Sequence, residues 1–513
     1  MRVFVTALLL AAATPAIAAD MPKNVIVMIA DGAGHNTLAA TRFWTGRPLT
    51  MDAGPWLRAS MATYGLRLER KVPEGGDPYA QDPDAVYDPA KAWDTRPVKG
   101  MAKAGSPYPA LFAGYQWHRR VAPDSANTMS AMMTGVRTFD GAIDVDGAET
   151  PVQSVAEAAK AAGRMTGSIS SVPFNHATPA AGGGAHNPDR DDYHGLARDL
   201  FSGSLDVIGG GGNPDYDQDG RPITDEHAEI RFKWMPPALW AELKGPDSRW
   251  NLVETAGDIR DLAEGKTTSA KPLAMIAAVN PTLQAMRSYP QNVARGTADP
   301  GAVPLTPGMV TLDEMAIAAL KHVGTDPDGF FMMIEGGAVD WAMHANDFPR
   351  MIEEYMAFDA AVRAVVAWVD SPESAASWDD TLLVVTADHD HLLYGPKLDE
   401  PFQRVTNNGA GKLPGYSWAW SSHSNHLVPF FARGKGAEAL IAEADRIDAY
   451  TDRQGRKFGY GRYLTQPDLG AFLLKTQQSA AGANRLPDAE RSDYTPPTSN
   501  HQAAQGHAEQ MDQ

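Results

Sequence analysis

The hydrophobic positions of this chain fall into short continuous runs rather than into long alternating patterns. Five such runs are separated by polar or glycine-rich stretches: residues 23–30, 165–170, 330–334, 381–386 and 427–432. Continuous apolar runs of this length are typical of strands that are buried on both faces, as in a parallel sheet. The pattern therefore predicts several buried strands spread along the chain.

Helical patterns lie between these runs. The clearest one leads towards the run at 381–386, and its apolar residues recur at spacings of three and four: Ile352, Tyr355, Phe358, Val362, Val365 and Val369. This spacing places them on one face of an amphipathic helix. Strands that alternate with helices predict an α/β fold, with a mostly parallel central sheet flanked by helices on both faces and with loop insertions.

Several stretches depart from this alternation. Residues 1–19 hold an arginine, an apolar run and an Ala-Ile-Ala triplet, which predict a secretory signal peptide with its cleavage site. Residues 20–476 are expected to form the main domain. Within it, the polar and Pro/Gly-rich stretches 66–106 and 202–307 are interpreted as insertions. Residues 477–513 have the composition of a disordered tail.

Composition excludes several classes of function. The 513 residues carry a formal net charge of −18, which argues against nucleic acid as a partner. The chain has no cysteine, so a tight metal site must use histidine and carboxylate ligands. After the N-terminal run, no segment approaches the roughly 20 apolar residues of a membrane span. With the predicted signal peptide, this favours a protein exported to the periplasm or the extracellular space.

Polar residues directly follow three of the apolar runs. Asp31 follows the first, Glu335 follows the run at 330–334, and the adjacent pair Asp388-His389 follows the run at 381–386. In open α/β sheets, ligands bind outside the carboxyl ends of the strands. These residues are therefore candidates for a binding or catalytic site.

Asp340 and His344 stand one helical turn apart, so a carboxylate and an imidazole can reach one zinc ion. The ordinary interpretation of any one such pair is a solvated carboxylate or a buried histidine. Several of them close to strand ends are hard to explain in that way. The sequence therefore indicates a metal centre.

Together with the Asp124-Ser125-Ala126 and His176-Ala177-Thr178-Pro179 motifs, these segments resemble the active site of the alkaline phosphatase family. The resemblance covers the chain from Lys23 to about Ala432. It implies two zinc ions and one magnesium beside a serine nucleophile, matched here by Ser125. It also implies hydrolysis of phosphate monoesters through a phosphoserine intermediate, and a homodimer, because family members are commonly dimers.

The resemblance implies that the first zinc is bound by Asp340, His344 and His423. His423 is preferred to His426 because the family's histidine stands about five residues before the apolar residues of the next strand, here from Leu427 onward.

The second zinc would be bound by Asp31, Asp388 and His389. Asp31 would also bridge to the magnesium, whose other ligands would be Thr178 and Glu335. These assignments follow from the motifs of the family and not from spacing alone.

Arg190, four residues after His186, matches the family's phosphate-binding arginine, and Asp124 would orient its guanidinium. The loop that precedes Arg190 is one residue longer than the family pattern. His176, near the magnesium site, and Trp341 stand where some members have Asp and Lys. Both variants resemble other branches of the family, and they bear on magnesium affinity and rate rather than on reaction type.

The chemistry of these groups is coherent. A serine hydroxyl is a poor nucleophile, and metal coordination is the expected activation here, since no His or Lys adjoins Ser125. The run 126–133 predicts a buried helix whose N-terminus would favour a phosphate. Thr128 would lie a turn inside that helix, which makes it the less favoured nucleophile.

A second metal motif lies within the stretch 202–307. Asp215, Asp217 and Asp219, followed by Gly220 and Glu226, match the pattern of a calcium-binding loop. The flanking residues do not predict the helices of an EF-hand, so a carboxylate-rich turn is the alternative. Calcium is a hypothesis at this point.

Other functions remain open at this stage. A phosphodiesterase with the same two-zinc core is the nearer alternative, and a secreted phosphate- or calcium-binding protein without turnover is another. A sulfatase would need a nucleophile in a C/S-x-P-x-R setting, and the segment 171–175 lacks that arginine. A serine hydrolase would need a G-x-S-x-G elbow, which the chain does not contain.

Overall fold

Apolar strands and amphipathic helices alternate along the chain in the computed structural model, which describes residues 21–223, 231–452 and 455–481. The predicted signal peptide lies outside the described residues. The strands are β1 Asn24–Ile29, β2 Leu57–Ala62, β3 Pro97–Met101, β4 Pro109–Phe112, β5 Met165–Pro173, β6 Val207–Gly211, β7 Asn251–Val253, β8 Leu273–Ile276, β9 Phe330–Glu335, β10 Thr381–Thr386, β11 Asp390–Tyr394, β12 Ser417–Ser424, β13 Val428–Gly434, β14 Arg446–Ile447 and β15 Arg462–Thr465.

The helices vary from one turn to six turns in length. They are His35–Thr45, Pro89–Ala92, Ala113–Arg120, Ser125–Thr134, Val155–Ala161, Ala177–Gly182, Tyr193–Ser202, Pro237–Leu243, Ala256–Glu264, Leu312–Val323, Ala338–His344, Phe348–Asp370, Ala437–Ala442 and Gln466–Ala481, with a 3-10 turn at Thr50–Asp52. Among the described residues, no helix is both long enough and apolar enough to cross a membrane.

The central sheet has eleven strands in the order β14-β15-β2-β13-β10-β1-β9-β5-β6-β8-β7. From β10 through β7 every neighbouring pair is parallel, whereas β13 runs antiparallel to both β10 and β2. All five apolar runs are strands of this sheet. The predicted fold class, a mostly parallel α/β sheet, is confirmed.

Helices cover both faces of the sheet. On one face, Leu312–Val323 packs between Ala256–Glu264 and Phe348–Asp370. On the other, Ser125–Thr134 packs against Gln466–Ala481 and Ala177–Gly182. The apolar stripe predicted from Ile352 to Val369 is buried along the helix Phe348–Asp370. Burial on both faces explains why the central strands are continuously apolar.

Two predicted boundaries differ from the structure. The stretch 202–307 is not simply an insertion, because it supplies β6, β8 and β7 to one edge of the central sheet. At the other end, the helix Gln466–Ala481 continues past the expected boundary at residue 476. The side chain of Gln477 is buried there and accepts a hydrogen bond from Arg164 Nη1 at 2.6 Å, which fixes the helix to the start of β5.

The stretch 66–106 stays outside the central sheet. It holds the short helix Pro89–Ala92 and β3, which pairs with β4 in a separate two-stranded hairpin. This arrangement leaves the carboxyl ends of β1, β9 and β10 as the meeting point of the candidate site residues.

Candidate active site

Three neighbouring parallel strands deliver acidic residues to one edge of the sheet. Ile29 of β1 is in register with Glu335 of β9 and with Thr386 of β10. Asp31 and Asp388 each stand two residues beyond these positions, and both are completely buried. Strand register therefore explains how residues from three distant parts of the chain meet.

Asp31, Asp388 and His389 form the first cluster. Each offers one ligand atom, and these atoms lie within 4.8 Å of one another. Nε2 of His389 is 3.3 Å from Oδ1 of Asp31 and 3.3 Å from Oδ2 of Asp388. The backbone N–H groups of Gly32 and His389 donate to Oδ1 of Asp388 at 3.0 and 2.9 Å, which leaves Oδ2 directed to the cluster.

The Asp31 carboxylate indicates a cation at the first cluster. Both of its oxygens are buried without a hydrogen-bond partner. Burial, and then the negative charges of Asp388, Asp340 and Glu335, raise its pKa well above the ordinary value. A buried carboxylate without a partner is costly unless a positive charge stabilises it. The first cluster therefore fits a divalent metal ion.

The second cluster joins Asp340 to three histidines, His344, His391 and His423, whose ligand atoms lie within 4.8 Å of one another. The Nδ1 atom of His344 bonds to the carbonyl of Ser421 at 2.9 Å. In the same way, Nδ1 of His423 bonds to a backbone carbonyl, that of residue 123, at 2.8 Å. These bonds leave both Nε2 atoms, 3.0 Å apart, directed into the cluster. This is the arrangement that orients histidine ligands for zinc.

His391 is a member of this cluster that the sequence analysis missed. Its Nε2 lies 2.6 Å from Oδ1 of Asp340. It lies on β11, in register with His423 of β12. The pattern Asp388-His389-Asp390-His391 could have revealed it, because alternate residues of an extended chain share a face. His426, by contrast, lies outside both clusters and contacts the ring of Tyr394.

Glu335 and Thr178 lie beside the first cluster. Oε1 of Glu335 and Oγ1 of Thr178 are both buried without a hydrogen-bond partner, while Oε2 of Glu335 accepts a bond from Ser170. Burial raises the pKa of Glu335 to about 8, and the charge of Asp388 adds to this effect. With Asp31, these oxygens form a ligand set of the kind that magnesium prefers.

Ser125 is the first residue of the helix Ser125–Thr134, and its side chain is buried. The helix is capped by Asp124, whose Oδ1 accepts from the backbone N–H of Asn127 at 3.0 Å. The hydroxyl of Ser125 lies 3.1 Å from Nε2 of His389, so it faces the first cluster. Thr128 donates its hydroxyl to the carbonyl of Asp124 at 2.8 Å, which occupies it within the helix.

Arg190 is held next to Ser125 by the side chain of Asp124. Its Nη1 donates to Oδ2 of Asp124 at 2.8 Å, and Oδ2 also accepts from the backbone N–H of Gly141 at 3.0 Å. Its Nη2 lies 3.4 Å from Nε2 of His176. The guanidinium is therefore fixed one residue away from Ser125, where it can bind a tetrahedral anion.

The calcium motif stays a prediction, because its last residue, Glu226, lies outside the described residues. Asp215 is bound by Arg231, Lys244 and the indole N–H of Trp240. These protein cations occupy the carboxylate that calcium would need.

Asp217 accepts two backbone N–H groups, and Asp219 binds Ser288 and Arg221. The part of the chain that the structure describes therefore contains a carboxylate-rich turn at this point, which was the alternative interpretation.

Comparison with known proteins identifies a family for this chain. The sequence model of the alkaline phosphatase family matches residues 98–412. The alkaline phosphatase of Escherichia coli K12 is 30% identical over 353 residues, which cover 64% of this chain and 72% of that protein. Alkaline phosphatase 3 of Bacillus subtilis 168 is 28% identical over 272 residues, or 52% of this chain. The match spans about half the length of the Bacillus relatives, 48% and 49%.

Solved structures share the fold. The alkaline phosphatase from the Antarctic bacterium TAB5 superposes with a TM-score of 0.55 at 20% identity, over 90% of this chain and 98% of that one. A cold-active alkaline phosphatase from a psychrophilic Shewanella gives a TM-score of 0.54 at 19% identity, over 88% and 99%. The protein belongs to the alkaline phosphatase family.

Proposed function

We propose that this protein hydrolyses phosphate monoesters to an alcohol and inorganic phosphate through a phosphoserine intermediate on Ser125. The observation that carries the proposal is the 3.1 Å approach of the Ser125 hydroxyl to Nε2 of His389. This distance supports the proposal, because it brings a serine hydroxyl against a buried carboxylate and histidine cluster. Family membership supports phosphoester hydrolysis as the class of reaction.

Zinc is proposed for the two clusters that contain histidine, and magnesium for the all-oxygen set of Asp31, Thr178 and Glu335. His391 is proposed to hold the carboxylate of Asp340 in place. When bound, such ions lower the pKa of a nearby hydroxyl and neutralise the negative charge that develops on the transferred phosphoryl group.

In the proposed reaction, Oγ of Ser125 loses its proton and forms a bond to phosphorus, and the bond from phosphorus to the leaving oxygen breaks. The leaving group departs as an alcohol after it gains a proton. Arg190 binds two phosphoryl oxygens, and Asp124 holds its guanidinium in the plane that this requires. The helix N-terminus at Ser125 also favours the anion.

The second half of the reaction releases phosphate. Water attacks phosphorus, the bond from phosphorus to Oγ breaks, and the serine oxygen regains its proton. Two displacements in sequence preserve the enzyme and transfer the phosphoryl group to water.

Export and dimerisation stay predictions that rest on the sequence and on the family. Size-exclusion chromatography with light scattering measures the second directly.

The test of the proposal is hydrolysis of an aryl phosphate monoester by the purified protein at alkaline pH, before and after chelation. We expect the chelator to abolish turnover, and zinc with magnesium to restore it. An aryl phosphate diester, assayed in parallel, decides the reaction class. Faster turnover of the diester by fully metal-loaded protein would favour a phosphodiesterase, and no turnover of either would favour a binding protein.

A further inference from the structure

A wall of aromatic rings lies next to the arginine of the site. It begins at His176, whose Nε2 is 3.4 Å from Nη2 of Arg190. The ring centroid of His176 is 5.4 Å from that of Trp341, which is 6.4 Å from that of Trp234. Tyr193 completes the wall, 4.3 Å from Trp234. None of these rings has a role in the phosphoryl transfer derived above.

The wall is fixed from behind. The buried amide of Asn175 donates to the backbone carbonyls of Tyr193 and Trp234, at 2.6 and 2.9 Å. Trp341 belongs to the helix Ala338–His344 and directly follows Asp340. Its side chain packs against a small apolar cluster formed by Val172, Ala285 and Ala338. The rings are therefore held in place before a ligand arrives, which reduces the entropy lost on binding.

Only some of these rings are accessible to a ligand. Trp234 is 4% exposed and His176 is 8% exposed. The ammonium group of Lys233 lies 4.5 Å from the ring centroid of Trp234 and 5.5 Å from that of Tyr193, so it covers one face of both. Trp341 is half-buried, so part of its side chain stays accessible to a ligand.

The position of Trp341 assigns that surface to the leaving group. In the proposed reaction, Arg190 and Ser125 define where the phosphoryl group sits, and the ring of Trp341 is one ring away from Arg190, with His176 between them. A substituent on the phosphate must leave the site past one of its walls, and this wall presents an indole ring. Flat rings stack on or against an indole with a defined geometry.

We propose that Trp341 is a specificity residue that selects phosphate monoesters whose leaving group carries a flat ring next to the ester oxygen. This inference rests on the proposed function, since it concerns the substrate of the same site. Ring-to-ring contact of this kind is expected to favour such ligands by roughly three- to tenfold over ligands without a ring.

The test measures binding rather than turnover. Isothermal titration of the zinc- and magnesium-loaded protein compares phenylphosphonate with methylphosphonate, two phosphate analogues that differ in the ring. The variants are Trp341→Ala, which removes the indole, and Trp341→Phe, which keeps a ring. Trp378→Ala is the matched control, because Trp378 is another half-buried tryptophan, stacked under Arg433 just before the start of β10 at the opposite end of the sheet.

We expect the wild-type protein, Trp341→Phe and Trp378→Ala to prefer phenylphosphonate by roughly three- to tenfold, and Trp341→Ala to bind both analogues within about twofold. Metal content, measured on each variant, shows whether the neighbouring Asp340 is still in place. An equal loss of affinity for both analogues in Trp341→Ala, or an unchanged preference, would overturn the proposal.

Turnover separates this proposal from the proposed function. Monoester hydrolysis without any ring preference in wild-type protein would remove the leaving-group site and leave the phosphatase standing. A ring preference that depends on Trp341, in protein that hydrolyses no phosphate ester, would remove the proposed phosphatase activity and leave the ring-binding site standing.

Discussion

The hydroxyl of Ser125 and Nε2 of His389 lie 3.1 Å apart, although 264 positions of the chain separate them. The same nitrogen also lies 3.3 Å from the Asp31 carboxylate. One imidazole nitrogen is therefore shared between a hydroxyl and a carboxylate that has no hydrogen-bond donor of its own. A cation placed among these three atoms would contact the hydroxyl of the proposed nucleophile, Ser125.

Replacement of the nucleophile should separate metal binding from turnover. Ser125→Ala is expected to lower aryl phosphate hydrolysis by at least roughly a thousandfold, because the covalent intermediate cannot form. Zinc content, measured by plasma emission, should stay the same, since both clusters are complete without this hydroxyl. Ser130→Ala, in the same helix and also buried, is the control that should stay active. Retained activity in Ser125→Ala would refute the assignment.

The ion pair between Arg190 and Asp124 should govern affinity for phosphate. Arg190→Lys is expected to raise the dissociation constant of inorganic phosphate by roughly tenfold or more, because an ammonium group cannot reproduce the bidentate contact of a guanidinium. Arg198→Lys changes an exposed arginine of the neighbouring helix Tyr193–Ser202 and should bind normally. Titration calorimetry with phosphate measures both, and equal affinities would show that Arg190 does not contact the anion.

His391 should affect how tightly zinc binds rather than how many ions bind. It lies 2.6 Å from the Asp340 carboxylate and orients it, so His391→Ala is expected to weaken zinc binding by about 10- to 100-fold. Competition with a chelator measures that affinity. His322→Ala, on the helix Leu312–Val323, is the control. A loss of one zinc ion per chain at saturating zinc would instead identify His391 as a ligand.

The stability of the protein should fall in mildly alkaline solution because of His186. Burial favours its neutral ring, but the hydrogen bond to Glu157 and the charges of Asp144 and Glu157 outweigh this and raise its pKa to about 9. A raised folded-state pKa contributes stability that is complete below about pH 6.5 and is lost as the pH rises through 9.

The expected loss is roughly 3 kcal/mol, at about 1.4 kcal/mol per pKa unit. Denaturant unfolding at pH 6 and pH 9.5 measures it. His186→Asn should be less stable than wild type at pH 6 and show a smaller change with pH. A wild-type unfolding free energy that does not fall over this range would contradict the prediction.

The pattern of apolar residues in the sequence predicted the central strands, because these strands are buried on both faces of the sheet. The strands that contain Val27, Met333 and Val384 are buried at every position and apolar throughout their middle residues, so they could be recognised without their partners. Polar residues just beyond them had to meet, because parallel strands end at one edge. This is why Asp31 and Asp388 could be placed beside each other from sequence.

Other parts depend on contacts that sequence does not display. The segment from Val207 to Gly211 reads Val-Ile-Gly-Gly-Gly, and glycine gave no signal for the buried strand that it forms. His391 enters its cluster only through pairing with a strand that lies some thirty residues further on. The end of the helix Gln466–Ala481 is held by the buried amide of Gln477. Its neighbours in the sequence are also polar, so the sequence does not show that this residue is buried.

The central strand β1 can pair only with strands that lie far from it in the sequence, which affects the folding of the chain. Asn24 bonds to Thr381 across 357 positions, and β1 has its two neighbours, β9 and β10, in the last half of the chain. Contacts of such long range make folding slow, because much loop entropy must be lost before they form. During synthesis β1 therefore keeps both of its edges unpaired until about three hundred residues have followed it and β9 is complete. During that interval the unpaired edges of this apolar strand are exposed to aggregation.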